Sequence, residues 1–293
     1  MRLLLLATKD TIAYRDGFVA TGAELLESVA TTADVTVEDL LTEPGFDTTP
    51  GTMAATARRV RKALGEDGFQ GVVVTHGTDT LEEAAYLTDL MAGAAAARGS
   101  IVYTAAAHPA DGPANLAAAL AAAADPALRG LGAVACVSGD LHAARWVHQA
   151  TTGTFTSSPH EPLGRGRAPL RPQPAPPGEI ETNVALIKAY PGIEANLLTT
   201  AVDAGARGIV LEGTGAHNVP VSLLGAITDL VAWDIPVVVC SRARTAGPPQ
   251  LPDGLAAQVG AILTDLPAGK AFVALMVALG GDPRVYFAAL SAP

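Results

Sequence analysis

Val72-Val73-Val74-Thr75-His76-Gly77-Thr78-Asp79-Thr80-Leu81-Glu82-Glu83 is the stretch that decides how this chain is read. Its β-branched apolar run predicts a buried parallel strand, and the residues from Leu81 onward predict a helix. The polar turn between them stands at the carboxyl end of the strand, where open α/β sheets hold their ligands. A hydroxyl and a carboxylate side by side at a helix start, Thr78 and Asp79, suit a small ligand and a proton transfer. The competing expectation is structural: Thr78 or Asp79 caps the helix, while Glu82 and Glu83 complement its dipole.

The same strand-then-helix alternation extends to both sides. Strands are expected at Leu3–Ala7, Gly71–Thr75, Ser100–Ala105 and Ala133–Ser138, and helices within Pro50–Leu64 and at Leu81–Ala92 and Pro113–Ala124. The Ala-rich tracts Ala94–Ala97 and Ala117–Ala124 read as helix, since alanine is the best helix former. Such alternation predicts an α/β fold with a doubly wound, mainly parallel sheet. From Pro159 to Gly178 seven prolines interrupt every periodicity, which rules out helix and central strand. This marks an interdomain linker, dividing the chain into an N-terminal α/β domain at 1–158, a linker at 159–182 and a C-terminal α/β domain at 183–293. The alternation resumes there with Val184–Lys188, helix Ala195–Ala204, Gly208–Leu211, helix Val221–Ala232, Val237–Cys240 and a last helix near Lys270–Leu279.

Composition narrows the function. The chain has 293 residues, of which 49% are hydrophobic and only 4% aromatic, so its cores are built from Ala, Val and Leu. A formal net charge of −10 argues against nucleic acid as a partner, because phosphate binding needs a basic surface. Cys136 and Cys240 are the only cysteines; each ends an apolar run and is expected to be a buried free thiol, with neither a disulfide framework nor a zinc site. The opening Met1-Arg2-Leu3-Leu4-Leu5-Leu6 is too short for a signal peptide and reads as a core strand. No apolar run reaches the ~18 residues of a membrane span. The expected setting is cytoplasmic, with no membrane partner. The histidines His76, His108, His142, His148, His160 and His217 lack a compact ligand spacing, so no metal is expected.

The string HGTDTLEEAAYLTDL closely resembles the second signature of the bacterial-type L-asparaginase/glutaminase family, and the resemblance covers nearly the whole chain. That family's first signature, Thr-Gly-Gly-Thr-Ile-Ala, stands here as Thr8-Lys9-Asp10-Thr11-Ile12-Ala13. Ala110-Asp111-Gly112-Pro113, Ala189-Tyr190-Pro191-Gly192, Leu211-Glu212-Gly213-Thr214-Gly215 and Gly269-Lys270-Ala271 match further motifs in order. The resemblance implies a two-domain fold with a larger N-terminal and a smaller C-terminal domain. It makes Thr11 the counterpart of the nucleophilic threonine, and matches Thr78 and Asp79 to a second threonine and the aspartate that holds a substrate amino group. It also implies a homodimer or homotetramer with sites at subunit interfaces and a small amino-acid-like substrate. No cofactor is expected, since a glycine-rich dinucleotide loop is absent and its place is taken by Lys9-Asp10.

The departures fall on catalytic positions. Two family glycines are Lys9 and Asp10 here; these charges either crowd the loop, bring a new acid and cation to the site, or pair at the surface. The family's substrate-binding serine matches Gly45, and its relay lysine matches Gln149, which can neither act as a base nor carry charge. Lys9, Asp10 and His148 are candidate replacements for acid and base, with His142 close to His148 in sequence. Gly77 and Asn218 complete the expected binding set. His217, beside Asn218, either projects into a neighbouring subunit's site or lies on a surface loop. Asp253 is the one carboxylate in the loop Ser241–Leu255, where the family has a glutamate.

Three functions follow from these residues. The first is a diverged enzyme acting on an amide or acyl group through Thr11, inefficient towards asparagine. The second is an inactive relative that binds a small ligand or partner, since fold alone does not establish activity. The third is an ordinary asparaginase with a substituted base.

Overall fold

Strand β1 (Arg2–Ala7) is apolar along its whole inner length because it lies inside a sheet covered on both faces; Leu3, Leu4, Leu5 and Leu6 are fully buried. The computed structural model describes residues 1–15, 17–40, 44–157, 162–163, 173–243 and 254–291. They fall into two units, Met1–Ala175 and Pro176–Pro293. Half of the proline-rich 159–182 segment, residues 159–161 and 164–172, lies outside the described residues.

In the first unit, a short antiparallel ribbon of β2 (Tyr14–Arg15) and β3 (Phe18–Val19) follows β1. Then come α1 (Gly22–Glu27), β4 (Asp34–Asp39), α2 (Pro50–Gly65), β5 (Gly71–Thr75), α3 (Leu81–Ala92), β6 (Ser100–Thr104), α4 (Gly112–Ala124), β7 (Ala133–Val137) and β8 (Asp140–Ala143). A second ribbon, β9 (His148–Thr151) with β10 (Thr154–Thr156), closes the series. The sheet order is β4-β1-β5-β6-β7-β8. Its first five strands run parallel, with Leu5 opposite Val37 on one side and Val73 on the other, and β8 turns back antiparallel on β7. One face carries Leu3, Leu5, Val73, Val102 and Val134 against Leu25 of α1 and Leu116 and Leu120 of α4.

The chain leaves β1 for β4 on one side, then crosses back to β5 on the other. The loops after β1 and β5 therefore diverge, and the crevice between them is the switch point where this class of sheet binds ligands.

The second unit repeats the logic on a smaller scale. Its elements are β11 (Val184–Lys188), α5 (Asn196–Asp203), β12 (Gly208–Gly213), α6 (Leu224–Ala232), β13 (Val237–Ser241), α7 (Leu255–Gln258), β14 (Ile262–Leu263), α8 (Ala268–Ala278) and α9 (Pro283–Ser291). The four strands pair in chain order and all run parallel. Leu198, Ile209, Leu211, Ile227, Leu230, Val237 and Val239 form its core.

Several elements differ from the sequence expectation. The Ala94–Ala97 tract is a 3-10 turn within Gly93–Arg98, not α-helix, because α3 ends at Gly93 with φ +52°. The ribbons, α1, β4 and β8 carry too few consecutive apolar residues to have been read as elements, whereas α9 was not expected although Val285 to Leu290 are apolar throughout. Cys136 and Cys240 are both buried free thiols. No helix among the described residues is long and apolar enough to cross a membrane.

Candidate active site

The carboxyl ends of β1 and β5 are stapled together by two threonines. The Thr8 amide donates to Thr75 Oγ1 at 2.9 Å, and the Thr8 hydroxyl donates to the Thr75 carbonyl at 2.7 Å. Both residues are buried, so the ladder continues past the apolar register and the two loops leave the sheet at a fixed distance. His76 extends the edge further, its amide donating to the Thr104 carbonyl of β6 at 2.9 Å.

Asp10 is the centre of the cluster. Its backbone is extended, at φ −131° and ψ −174°, and its side chain turns inward to 6% exposure. One carboxylate oxygen accepts the Thr11 amide at 2.7 Å, the other the Gly45 amide at 2.5 Å. The Thr80 hydroxyl donates to the Gly45 carbonyl at 2.7 Å. Three loops, after β1, before α2 and after β5, are thus joined through one carboxylate and one hydroxyl. The surface pairing of Lys9 with Asp10 is not what forms: Lys9 is exposed, while both oxygens of the buried Asp10 are taken by backbone amides.

The glycines are shaped around this carboxylate. A Cβ on Gly77 would lie 2.2 Å from Asp10 Oδ2 and 2.8 Å from the Gly45 Cα; one on Gly45 would lie 2.8 Å from the same oxygen. Neither glycine has a positive φ, so space rather than backbone conformation excludes side chains here. Gly45 contributes its amide and the absence of a Cβ.

Thr78 is half-buried and Asp79 exposed on the turn that follows Gly77. Neither is the cap of α3: Thr80 occupies the N-cap, and its side chain makes no capping hydrogen bond. His76 is buried, with Nδ1 3.0 Å from the Gly77 carbonyl. Burial lowers its pKa, an effect that the Gly77 contact and the charges of Asp10 and Asp79 oppose. Both carboxylates therefore act on one neutral imidazole. Sequence reasoning did not place His76 in the cluster. Its available signal was adjacency to Gly77 at a strand end.

At Gln149 of β9 the backbone N–H donates to Glu82 Oε1, in the first turn of α3, at 2.7 Å. His148, the neighbouring candidate base, is half-buried with Nδ1 3.3 Å from the Trp146 carbonyl. His142 is buried, its Nδ1 2.8 Å from Ser157 Oγ, and burial lowers its pKa. These two histidines belong to the β8–β10 region rather than to the Asp10 cluster.

In the second unit, His217 is neither a surface side chain nor open to solvent. It sits at φ +60° with 5% exposure, and Nε2 lies 2.7 Å from the Thr264 carbonyl. The carbonyl of Asn218 accepts the Thr214 amide at 2.8 Å, closing the turn. A left-handed residue at the tip of a closed turn directs the ring back into the unit, which surface exposure would not allow. Asp253 lies outside the described residues.

Family comparison fits this arrangement. Residues 2–171 match the model described as asparaginase, N-terminal, and residues 183–284 match the glutaminase/asparaginase C-terminal domain. The chain belongs to the asparaginase family. Its fold is the family's two-domain α/β type. It is similar to a probable L-asparaginase of Deinococcus radiodurans, 34% identical over 225 residues, covering 70% of this chain and 66% of that protein. It is also similar to a component of the glutamyl-tRNA(Gln) amidotransferase of Pyrobaculum aerophilum, 29% identical over 284 residues, covering 83% and 65%. An L-asparaginase of Bacillus licheniformis is 26% identical over 285 residues, covering 83% and 82%. The chain thus spans slightly less than two thirds of the length of the first two relatives.

Proposed function

We propose that this chain is a diverged amidohydrolase or acyl-transfer enzyme in which Thr11 attacks the amide or acyl carbonyl of a small amino-acid-like substrate. The observation that carries the reading is the stapling of the Thr11 loop to the Gly77-Thr78-Asp79 turn through Thr8, Thr75 and Asp10. A nucleophile candidate, a second hydroxyl and a carboxylate thereby share one ligand-binding edge. The relatives are asparaginases and an amidotransferase; breaking or making an amide is common to both, which supports the same chemistry here.

A threonine hydroxyl needs a base to become a nucleophile. Gln149 cannot serve, and loss of a general base costs roughly 10²–10⁴-fold in rate. The protein is accordingly a poor asparaginase. Lys9 remains the candidate base on the same loop, and backbone amides would hold the oxyanion. The same reading makes the chain a homodimer or homotetramer, as the family resemblance implies, in the cytoplasmic setting expected from the sequence. A second reading, an inactive ligand-binding relative, is favoured by one observation: both oxygens of Asp10, the acid nearest Thr11, are committed to amides.

Ammonia release from L-asparagine, L-glutamine and L-asparagine amide tests the proposal. Slow release from at least one of them, abolished by Thr11→Ala, is expected. Release that Thr11→Ala leaves unchanged overturns the role of Thr11, and no release from any amide favours the binding reading.

A further inference from the structure

An open cavity of about 810 Å³ lies between the β2–β3 ribbon and the start of α4, and none of its lining residues belongs to the Asp10 cluster. Small-molecule sites typically measure ~300–1,000 Å³ and combine apolar walls with a few polar groups. Tyr14, Phe18 and Val19 of the ribbon face Pro109 and Pro113 across the cavity, and Arg15 brings its one charge. The two walls are held together. Beyond the ribbon pairs the Ala20 amide donates to the Ala13 carbonyl at 2.7 Å, and a Cβ on Gly112 of α4 would lie 2.9 Å from the Ile12 carbonyl. Arg15 Nη1 donates to the carbonyls of Ile12 and Tyr14, at 3.0 and 2.8 Å. Its Nη2 is buried with no acceptor, and Arg15 forms no ion pair among the described residues. The Nε–Nη2 edge of the guanidinium is therefore unused, although buried donors nearly always find a partner.

We infer that this cavity binds a small carboxylate carried on an aromatic body, with the acid group on the Nε–Nη2 edge of Arg15 and the ring against Tyr14 and Phe18. A guanidinium edge presents two parallel N–H donors that match the two oxygens of a carboxylate. One such edge, with no second cation on the walls, suits a singly charged acid better than a phosphate. The walls ask for the rest of the ligand. Phe18 is 54% exposed and Tyr14 42%, and aromatic rings gain most by covering one another in offset or edge-to-face contacts. Asp111, the N-cap of α4, is not among the lining residues, so no carboxylate of the cavity wall opposes the acid. The site is separate from the proposed amide chemistry: no residue in it reacts, and it stands whether or not Thr11 is a nucleophile.

Equilibrium dialysis against 2-naphthylacetate and its neutral counterpart 2-naphthylacetamide tests the assignment, because the two probes share a ring and differ in charge. The acid is expected to bind at least roughly tenfold more tightly than the amide, the gain from a hydrogen bond to a charged group. Arg15→Gln should bring the two to equal affinity, and Arg15→Lys, which keeps the charge and loses the fork, should leave a reduced preference. Phe18→Ala removes an exposed ring and no part of the core; it should weaken both probes by about fivefold or more and leave the preference for the acid in place. Equal affinity for acid and amide in the parent protein overturns the inference, as does failure to bind either probe at millimolar concentration. A preference that survives Arg15→Gln in protein shown by its melting to be folded overturns it too. If Arg15→Gln does not fold, Phe18→Ala decides the location, and undiminished binding of the acid there is the refuting result.

Discussion

Gly77→Ala is the sharpest probe of the Asp10 wedge. The new methyl group would lie 2.2 Å from Asp10 Oδ2, 2.8 Å from Asp10 Cγ and 2.8 Å from the Gly45 Cα. Carbon and oxygen in ordinary contact stay more than about 3 Å apart, so the overlap with the oxygen is roughly 1 Å. Asp10 relieves it only by leaving the Gly45 amide at 2.5 Å or the Thr11 amide at 2.7 Å. Overpacking typically costs ~1–3 kcal/mol, and a lost hydrogen bond to a charged group ~1.5–3 kcal/mol. The variant is expected to lose about 2–4 kcal/mol, or roughly 4–16 °C in melting temperature for a unit of this size. Urea unfolding measures it, the midpoint falling while the slope m stays constant. A double-mutant cycle adds the decisive comparison. In an Asp10→Ala background two of the three close contacts vanish, so Gly77→Ala should cost at least about 1 kcal/mol less than in the wild type. The Gly45 contact persists, so rescue is partial. A Gly77→Ala protein within about 0.5 kcal/mol of wild type, or two strictly additive substitutions, would refute the wedge.

Two further outcomes follow from buried groups. His76 is neutral in the folded protein because burial lowers its pKa from 6.5, while the unfolded chain takes up a proton there; the unfolded state then binds more protons, so stability falls as the pH drops below about 6.5. His76→Gln should reduce that acid slope by up to ~1.4 kcal/mol per pH unit, with His142 supplying part of the remainder, and an unchanged slope in urea titrations at pH 5–7 would count against a buried neutral His76. Burial pushes the Cys136 thiol up to about 11 and the Cys240 thiol to about 12; a thiol reagent at pH 8 should therefore find neither in native protein and both after denaturation, whereas fast labelling of either native thiol would contradict the packing.

Much of the fold was legible because a parallel strand buried on both faces must be a continuous apolar run, as Gly71–Thr75 is. The helix Leu81–Ala92 and the half-exposed edge strand Val184–Lys188 also form with the bounds that their patterns predict. Strand β4 escaped for the opposite reason. It is an edge strand with Val35 and Val37 half-buried between polar residues, a pattern too weak to separate from a loop. Helix α1 is only six residues long, yet its capping box, Thr21 with Glu24, is a start signal that the sequence did display. In the candidate site, Thr11 was named through the family resemblance, and Asp79 through its place in the turn at a strand's carboxyl end. The inward turn of Asp10 was not, because it depends on Gly45 and Gly77, 35 and 67 positions away, and no local pattern reports a vacancy assembled from three loops. Spatial compensation of this sort shows only when the loops are brought together.

The order of the strands has a consequence for synthesis. Since β1 lies between β4 and β5, its first hydrogen-bonded neighbour emerges only with residues 34–39 and its second only with residues 71–75. Until then Leu3–Leu6, four consecutive leucines, wait unpaired on the growing chain, at ~5–20 residues per second. The polar clamp between Asp10 and Thr80 becomes possible at nearly the same moment that β5 arrives. Completion of the first leucine strand and assembly of the loop edge around Asp10 are thus coupled during synthesis, and a substitution that delays either exposes the same apolar segment to chaperones and aggregation.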